Sequence, residues 1–102
     1  MSQSQVLADR IRDPEAPKLQ DKHMMAFPIE KKPKTWVYGV VSLSQGWKLG
    51  LVKWYAPWRQ YCFFPESEVV FSRSCLNKIV DFIKALMFER RISNNSTHKE
   101  KE

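Results

Sequence analysis

Hydrophobic positions in the middle of the chain occur in short runs that turn sequences separate. Between residues 35 and 71, β-branched and aromatic residues dominate, and turn-forming sequences interrupt them at Ser44-Gln45-Gly46 and at Ala56-Pro57. This pattern predicts three strands, at residues 36–43, 47–55 and 58–64. Because the connections are short, the strands are expected to form an antiparallel meander.

The spacing of apolar residues changes after residue 72 and becomes typical of a helix. Six of them recur at steps of three and four: Leu76, Ile79, Val80, Ile83, Leu86 and Met87. They predict an amphipathic helix of roughly nineteen residues, about 28 Å long, with Ser72 or Ser74 as its cap. The fold class predicted is α+β: a three-stranded antiparallel β-meander followed by one long amphipathic C-terminal helix.

The two ends of the chain differ from this middle part. Residues 1–34 contain few apolar positions and four prolines, Pro14, Pro17, Pro28 and Pro33. Such a segment buries too little apolar surface to offset the entropy of ordering. We therefore predict a flexible N-terminal arm at residues 1–34, a β-β-β-α domain at residues 35–92 and a disordered polar tail at residues 93–102.

Charge changes this picture only slightly. The net charge of +6 on 102 residues favours anionic partners, although small proteins also need net charge for solubility. Most of the excess positive charge lies outside the aromatic middle, and no run of five basic residues occurs. Charge alone therefore does not identify nucleic acid as the ligand.

The sequence predicts neither an enzyme nor a metal site. His23 and His98 lie in the flanking segments, and Cys62 and Cys75 stand thirteen residues apart without a CxxC motif. Zinc needs about four ligands at ordered spacing, and no catalytic triad or phosphate-binding glycine loop is recognisable. No apolar run suits a signal peptide or a membrane span. We predict no cofactor, no membrane partner and a cytoplasmic protein with free thiols.

Aromatic and basic residues are concentrated at residues 47–65. This stretch holds three tryptophans, two tyrosines and two phenylalanines, together with Lys48, Lys53 and Arg59. Strand alternation places Lys48 and Lys53 on opposite faces and leaves neither face cleanly polar. One helix can cover only one face of the sheet. The other face would need the arm, a second copy of the chain in a homodimer, or a ligand to cover it.

Three interpretations of this stretch remain open. The aromatic residues can be the core and rim of the domain, a platform on which single-stranded bases stack, or hot spots for a protein partner. For both kinds of partner the candidate residues are the same: Trp54, Trp58, Arg59 and Tyr61, with Lys48 and Lys53 supplying electrostatic attraction.

A resemblance favours the protein partner. The run LGLVKWYAPWRQYCFFP, followed by Val-Val-Phe, Cys75-Leu76 and an Ile/Phe/Leu-rich helix, resembles small proteins encoded by phages and prophages over residues 47–88. The resemblance implies an accessory protein acting in the cytoplasm of a bacterial host. By analogy we predict a non-enzymatic binder of a host protein, such as a nuclease or a defence complex, with a nucleic-acid-binding protein as the alternative.

Overall fold

A computed structural model describes residue 10 and residues 16–101, and it describes side chains as far as residue 92. Between residues 16 and 101, five strands precede one helix: β1 (Leu19–Gln20), β2 (Met24–Lys31), β3 (Trp36–Ser42), β4 (Lys48–Tyr55), β5 (Gln60–Pro65) and α1 (Arg73–Lys101). A single 3-10 turn, Ala56–Trp58, connects β4 to β5. The strands form one antiparallel sheet in chain order, β1-β2-β3-β4-β5.

The predicted α+β class is confirmed, whereas the prediction of three strands is wrong. Residues 19–20 and 24–31, which were assigned to a flexible arm, form the first two strands. Pro28 made β2 unrecognisable, since proline removes a donor from a sheet. It is tolerated because β1 pairs with β2 only beside Met25 and Ala26, so no described strand adjoins the outer side of β2 at Pro28. The rest of the predicted arm, residues 1–9 and 11–15, lies outside the described residues.

The core lies between the sheet and α1. Tyr38, Val40 and Val52 are buried on the sheet, and Ile79, Phe82 and Leu86 are buried on the helix. The rings of Tyr38 and Phe82 meet edge to face, with their centroids 5.0 Å apart. The buried side of the helix is thus rotated slightly from the predicted one, because Phe82 belongs to it while Leu76 and Val80 are exposed.

The helix begins as predicted, at a serine cap. The Oγ atom of Ser72 accepts a hydrogen bond from the amide of Cys75 at 3.2 Å, which satisfies one of the free donors of the first turn. The helix has 29 residues and is longer than expected; the side chains of residues 93–101 are outside the described part. Within the described residues, no helix is long and apolar enough to cross a membrane.

Arg10 connects the N-terminal part of the chain to the core. Its guanidinium donates to the Tyr38 hydroxyl at 2.8 Å and forms an ion pair with Glu89 at 2.6 Å. Burial raises the pKa of the Tyr38 phenol to about 12, although the hydrogen bond from Arg10 acts in the opposite direction. The Arg10 guanidinium thus links Tyr38 of β3 to Glu89 of α1.

Candidate functional site

A bulge in β4 determines which side chains share a face of the sheet. Val40 pairs with Gly50, but the next residue, Val41, pairs with Lys48, so that Leu49 is an extra residue in β4. A bulge of this kind interrupts strict alternation. Lys48 therefore lies on the same face as Lys53, and the prediction that these two lysines lie on opposite faces is wrong.

The face opposite the helix carries mostly apolar side chains. We call it the open face, and the register assigns to it Met25, Phe27, Val37, Val41, Lys48, Leu51, Lys53, Tyr55, Cys62 and Phe64. Ile29, the extra residue of a bulge in β2, joins them because its side chain approaches the outer side of Gly39. Most of these apolar residues are only half-buried, although Val37 is buried. Within the described part of the chain, α1 and the segment before it pack on the other face, where Phe71 contacts Phe63. No element in the described part of the chain therefore covers the apolar surface of the open face.

Three aromatic rings meet at one corner of the open face. We call Tyr55, Trp58 and Phe64 the aromatic corner. The Tyr55 ring is 5.0 Å from that of Trp58 and 5.9 Å from that of Phe64, both edge to face. Lys53 places its ammonium 4.8 Å from the centre of the Phe64 ring. Because Trp58 keeps 66% of its surface exposed, this corner offers a large aromatic side chain to a partner.

The 3-10 turn explains why Trp58 projects from the sheet. Pro57 occupies the turn, where its fixed φ is compatible with the backbone. Arg59 closes the turn in the left-handed conformation with φ of 55°, and its amide donates to the Ala56 carbonyl at 3.1 Å. Few non-glycine residues adopt this conformation, which directs the chain sharply back into β5.

Charges on the open face are of both signs. The Lys48 ammonium is 3.5 Å from a carboxylate oxygen of Glu66. Glu30 pairs with Val37 in the register and so lies on the same face, where it forms a 3.1 Å ion pair with Lys32. The face is thus not a uniformly basic platform.

The structure separates the six predicted site residues. Trp58, Arg59, Lys48 and Lys53 lie on the open face or at its corner, whereas Trp54 and Tyr61 lie on the helix side. Tyr61 is only 6% exposed, and its hydroxyl accepts a hydrogen bond from the Trp36 amide at 3.3 Å. Burial raises the pKa of its phenol. Tyr61 is therefore a core residue in this arrangement.

Trp54 is a partner of the helix. Its ring meets that of Tyr61 edge to face at 5.5 Å, and the Arg90 guanidinium lies 4.2 Å from the centre of the Trp54 ring.

The sequence analysis missed Phe27 and Ile29 as residues of the open face, because it assigns β2 to the flexible arm. The apolar positions of Met25-Ala26-Phe27-Pro28-Ile29 were the available signal, and Pro28 obscured it.

The described residues show no arrangement that would hold a metal. Residues 10 and 16–92 contain no group of three or more His, Cys, Asp or Glu side chains close enough to coordinate one ion. The thiols of Cys62 and Cys75 are free and half-buried. The open face presents aromatic rings, aliphatic side chains and a few ion pairs.

Comparison with known proteins identifies a phage relative. The chain is similar to a protein of Acholeplasma phage L2, described as an uncharacterized 9.3 kDa protein, with 38% identity over 58 residues. The match spans 57% of this chain and 74% of the phage protein. No family model and no solved structure matches the chain. This match confirms that the chain is similar to a phage-encoded protein.

Proposed function

The chain belongs to the family of the 9.3 kDa protein of Acholeplasma phage L2, and from this premise we propose that it is a non-enzymatic accessory protein that binds and modulates a host protein. The host protein would be one that acts against or serves the phage in the bacterial cytoplasm, such as a nuclease or a defence complex. The observation that carries the proposal is the apolar open face, to which no described element of the chain is docked.

The composition of the open face supports a protein partner. Contiguous apolar surface of this kind commonly marks interaction sites, and tryptophan, tyrosine and arginine are enriched among interface hot spots. Trp58 supplies the most exposed aromatic ring of the corner, and Arg59 follows it on the same turn. Leu51, Phe27 and Ile29 extend the apolar surface across the sheet.

The charges favour a protein over nucleic acid. A nucleic-acid interface draws most of its affinity from several cations placed against phosphates. Here Lys48 is engaged with Glu66, and Lys32 is engaged with Glu30 of the same face. A mixed set of ion pairs around an apolar centre is instead the usual anatomy of a protein interface.

Nucleic-acid binding is the second candidate, and the aromatic corner favours it. Bases stack on exposed aromatic rings at about 1–3 kcal/mol per base. Lys53 lies against the Phe64 ring, and Arg59 follows Trp58 at the end of the turn. Titration with single- and double-stranded DNA and RNA at rising salt tests it. Affinity that falls steeply with salt supports nucleic acid, and the absence of binding at physiological salt contradicts it.

Capture of a host protein tests the main proposal. The tagged chain, Trp58→Ala and Phe88→Ala are incubated with nuclease-treated bacterial lysate; Phe88 is the matched control because it is 61% exposed on the helix. We expect the wild type and Phe88→Ala to retain the same host protein in stoichiometric amount, and Trp58→Ala to retain much less. Retention of no host protein, or equal retention by all three chains, contradicts the proposal.

The oligomeric state provides a separate check on the occupant of the open face. A second copy would cover the face in a homodimer, and light scattering at several concentrations distinguishes it from a host partner. A monomer is the expected result. A stable dimer that Leu51→Lys dissociates would show that another copy of the chain, and not a host protein, occupies the open face.

We also propose that the family shares the motif K-W-Y-x-x-W-R-x-Y-C-F-F-P of residues 53–65. These residues form most of the β4–β5 hairpin and all of the aromatic corner. If the motif is the common binding element, the phage L2 protein should carry aromatic residues at the positions that align with Trp58 and Phe64. Polar residues at both positions would contradict it.

A further inference from the structure

A second concave site lies on the helix side of the sheet, at the end where α1 begins. It is a cleft of about 890 Å³ between the β3–β4 turn, the segment at residues 66–72 and the first turns of α1. We call it the helix-end cleft. Small-molecule sites commonly have volumes of about 300–1,000 Å³, so the cleft has the size of such a site.

The lining of the helix-end cleft is mainly apolar. Met24 and Leu49 are buried in the core, and Phe71 and Val69 come from the segment before the helix. Leu49 is the extra residue of the β4 bulge, so the same irregularity that moves Lys48 to the open face places a leucine in the cleft. A ligand here would therefore be held chiefly by apolar contacts.

Two exposed apolar residues also line the cleft. Trp47, at the end of the β3–β4 turn, is 54% exposed, and Val70 is 94% exposed. Gly46, with φ of +77°, precedes Trp47, and the Ser42 amide donates to the Trp47 carbonyl at 2.8 Å. Hydrogen bonding thus fixes the backbone of the turn, while the exposed part of the Trp47 indole ring can contact a ligand.

Some of the polar groups around the cleft are engaged in hydrogen bonds or ion pairs, whereas Glu68 and His23, which also line it, are exposed to solvent. Ser42 accepts a hydrogen bond from the Gln45 amide at 3.1 Å, and Lys78 forms a 2.8 Å ion pair with Asp21. The hydrogen bond from Lys78 holds the pKa of Asp21 well below its usual range, and the same bond raises the pKa of Lys78. The lysine charge is thus already balanced. The hydroxyls of Ser44 and Ser74 also line the cleft; each has one hydroxyl partner, Ser42 and Ser72 respectively, and a hydroxyl can make a further hydrogen bond.

From this arrangement we propose that the helix-end cleft binds a small, uncharged and mainly apolar molecule with a hydrogen-bonding group at one end. Trp47 and Phe71 supply aromatic walls, Leu49 and Met24 the apolar floor, and the serine hydroxyls the polar contact. A charged ligand gains little there, because Lys78 is paired with Asp21 and the Glu68 carboxylate is exposed to solvent, which screens its charge. The site is separate from the open face, so it does not depend on the proposed host partner.

Binding of the neutral fluorescent dye N-phenylnaphthylamine to the full chain tests this inference. We expect saturable binding of one dye per chain, weakened about tenfold in Trp47→Ala by loss of an aromatic wall. Trp58→Ala is the matched control, because it removes an exposed tryptophan from the aromatic corner instead. Circular dichroism establishes that both variants are folded.

The two free thiols show where the dye binds. Cys75 lines the helix-end cleft and Cys62 lies on the open face, so alkylation by N-ethylmaleimide, followed by peptide mapping, reports on both surfaces in the wild-type chain. At a dye concentration of about ten times its Kd, alkylation of Cys75 should slow about tenfold and that of Cys62 should not change. No saturable binding, protection of Cys62 instead of Cys75, or equal binding by Trp47→Ala would overturn the inference.

A host protein gives the opposite pattern of protection. If the proposed function is correct, the captured host protein slows alkylation of Cys62 and leaves Cys75 reactive. The dye result and the host-protein result are therefore independent, and failure of one does not decide the other.

Discussion

The two faces of the sheet carry similar residue types and use them differently. Under the helix, Tyr38, Val52 and Tyr61 are buried against α1, whereas Phe27, Leu51 and Phe64 on the open face are only half-buried. Both sets are aromatic or aliphatic, so residue type alone does not separate core from surface. The difference comes from the second layer, which a single helix supplies to one face only.

Among substitutions that compare the two faces, Phe82→Ala should cause the largest loss in the free energy of unfolding. Removing a buried ring from the helix leaves a cavity and should lower the free energy of unfolding by about 3–5 kcal/mol. Phe64→Ala, on the open face, should lower it by less than half as much because its ring is partly solvated already. Urea denaturation measures both, and equal losses would remove the distinction between the two faces.

Two glycines of the sheet offer a matched pair of substitutions. At Gly50 an added Cβ would collide with the Phe64 carbonyl oxygen and lie 2.8 Å from the Phe63 ring, so Gly50→Ala should destabilise the fold by about 1–3 kcal/mol. At Gly39 the nearest atoms, on Ile29 and Phe27 of the open face, are 3.4 Å away, so Gly39→Ala should be nearly neutral. Thermal unfolding compares them, and a larger loss at Gly39 would contradict the assignment of a loosely packed open face.

Alkaline pH should weaken the helix side of the sheet through its buried phenols. The pKa of Tyr38 is raised from its ordinary value of about 10 to about 12. A phenol that ionises less readily when folded stabilises the protein fully below pH of about 10, and this contribution is lost as the pH rises through about 12. Tyr38→Phe should therefore reduce the fall in Tm between these pH values, and an unchanged fall would show that Tyr38 does not contribute.

The smallest effect on folding is expected for Trp58→Ala. Since the indole is mostly exposed and contacts only the corner of the open face, we expect a change in unfolding free energy within about 0.5 kcal/mol. Chemical denaturation measures this value in the same preparation that is used for capture of the host protein. A loss above about 2 kcal/mol would make Trp58 a structural residue and weaken its assignment to the binding surface.

Sequence patterns predicted the helix from the spacing of its apolar residues, and the last three strands from runs of β-branched and aromatic residues between turn sequences. They failed for β2, where Pro28 is compatible with a strand because β1 is too short to pair beside it and because a bulge follows between Pro28 and Glu30. That circumstance depends on a neighbouring element and is not visible in the local sequence. The additional surface contributed by Phe27 and Ile29 was missed for the same reason.

The candidate site was predicted only in part, because its faces depend on register. Trp54 and Trp58 belong to the same aromatic stretch, yet one packs under Arg90 and the other is exposed. The bulge at Leu49 places Lys48 on the same face as Lys53, because a change of one residue in register exchanges the faces of a strand. Nothing in the composition of β4 indicates where such a residue is inserted.

Strand β5 is the outer strand beside β4, and an outer strand offers its main chain to any extended peptide nearby. The Tyr61 amide already donates to the Met87 sulfur at 3.4 Å, and Pro65 has no amide hydrogen to donate. A further strand would therefore find few donors along this edge. The consequence is protection against fibril growth: crowded copies of the chain are hindered from extending one another strand by strand, even though one face of each remains apolar.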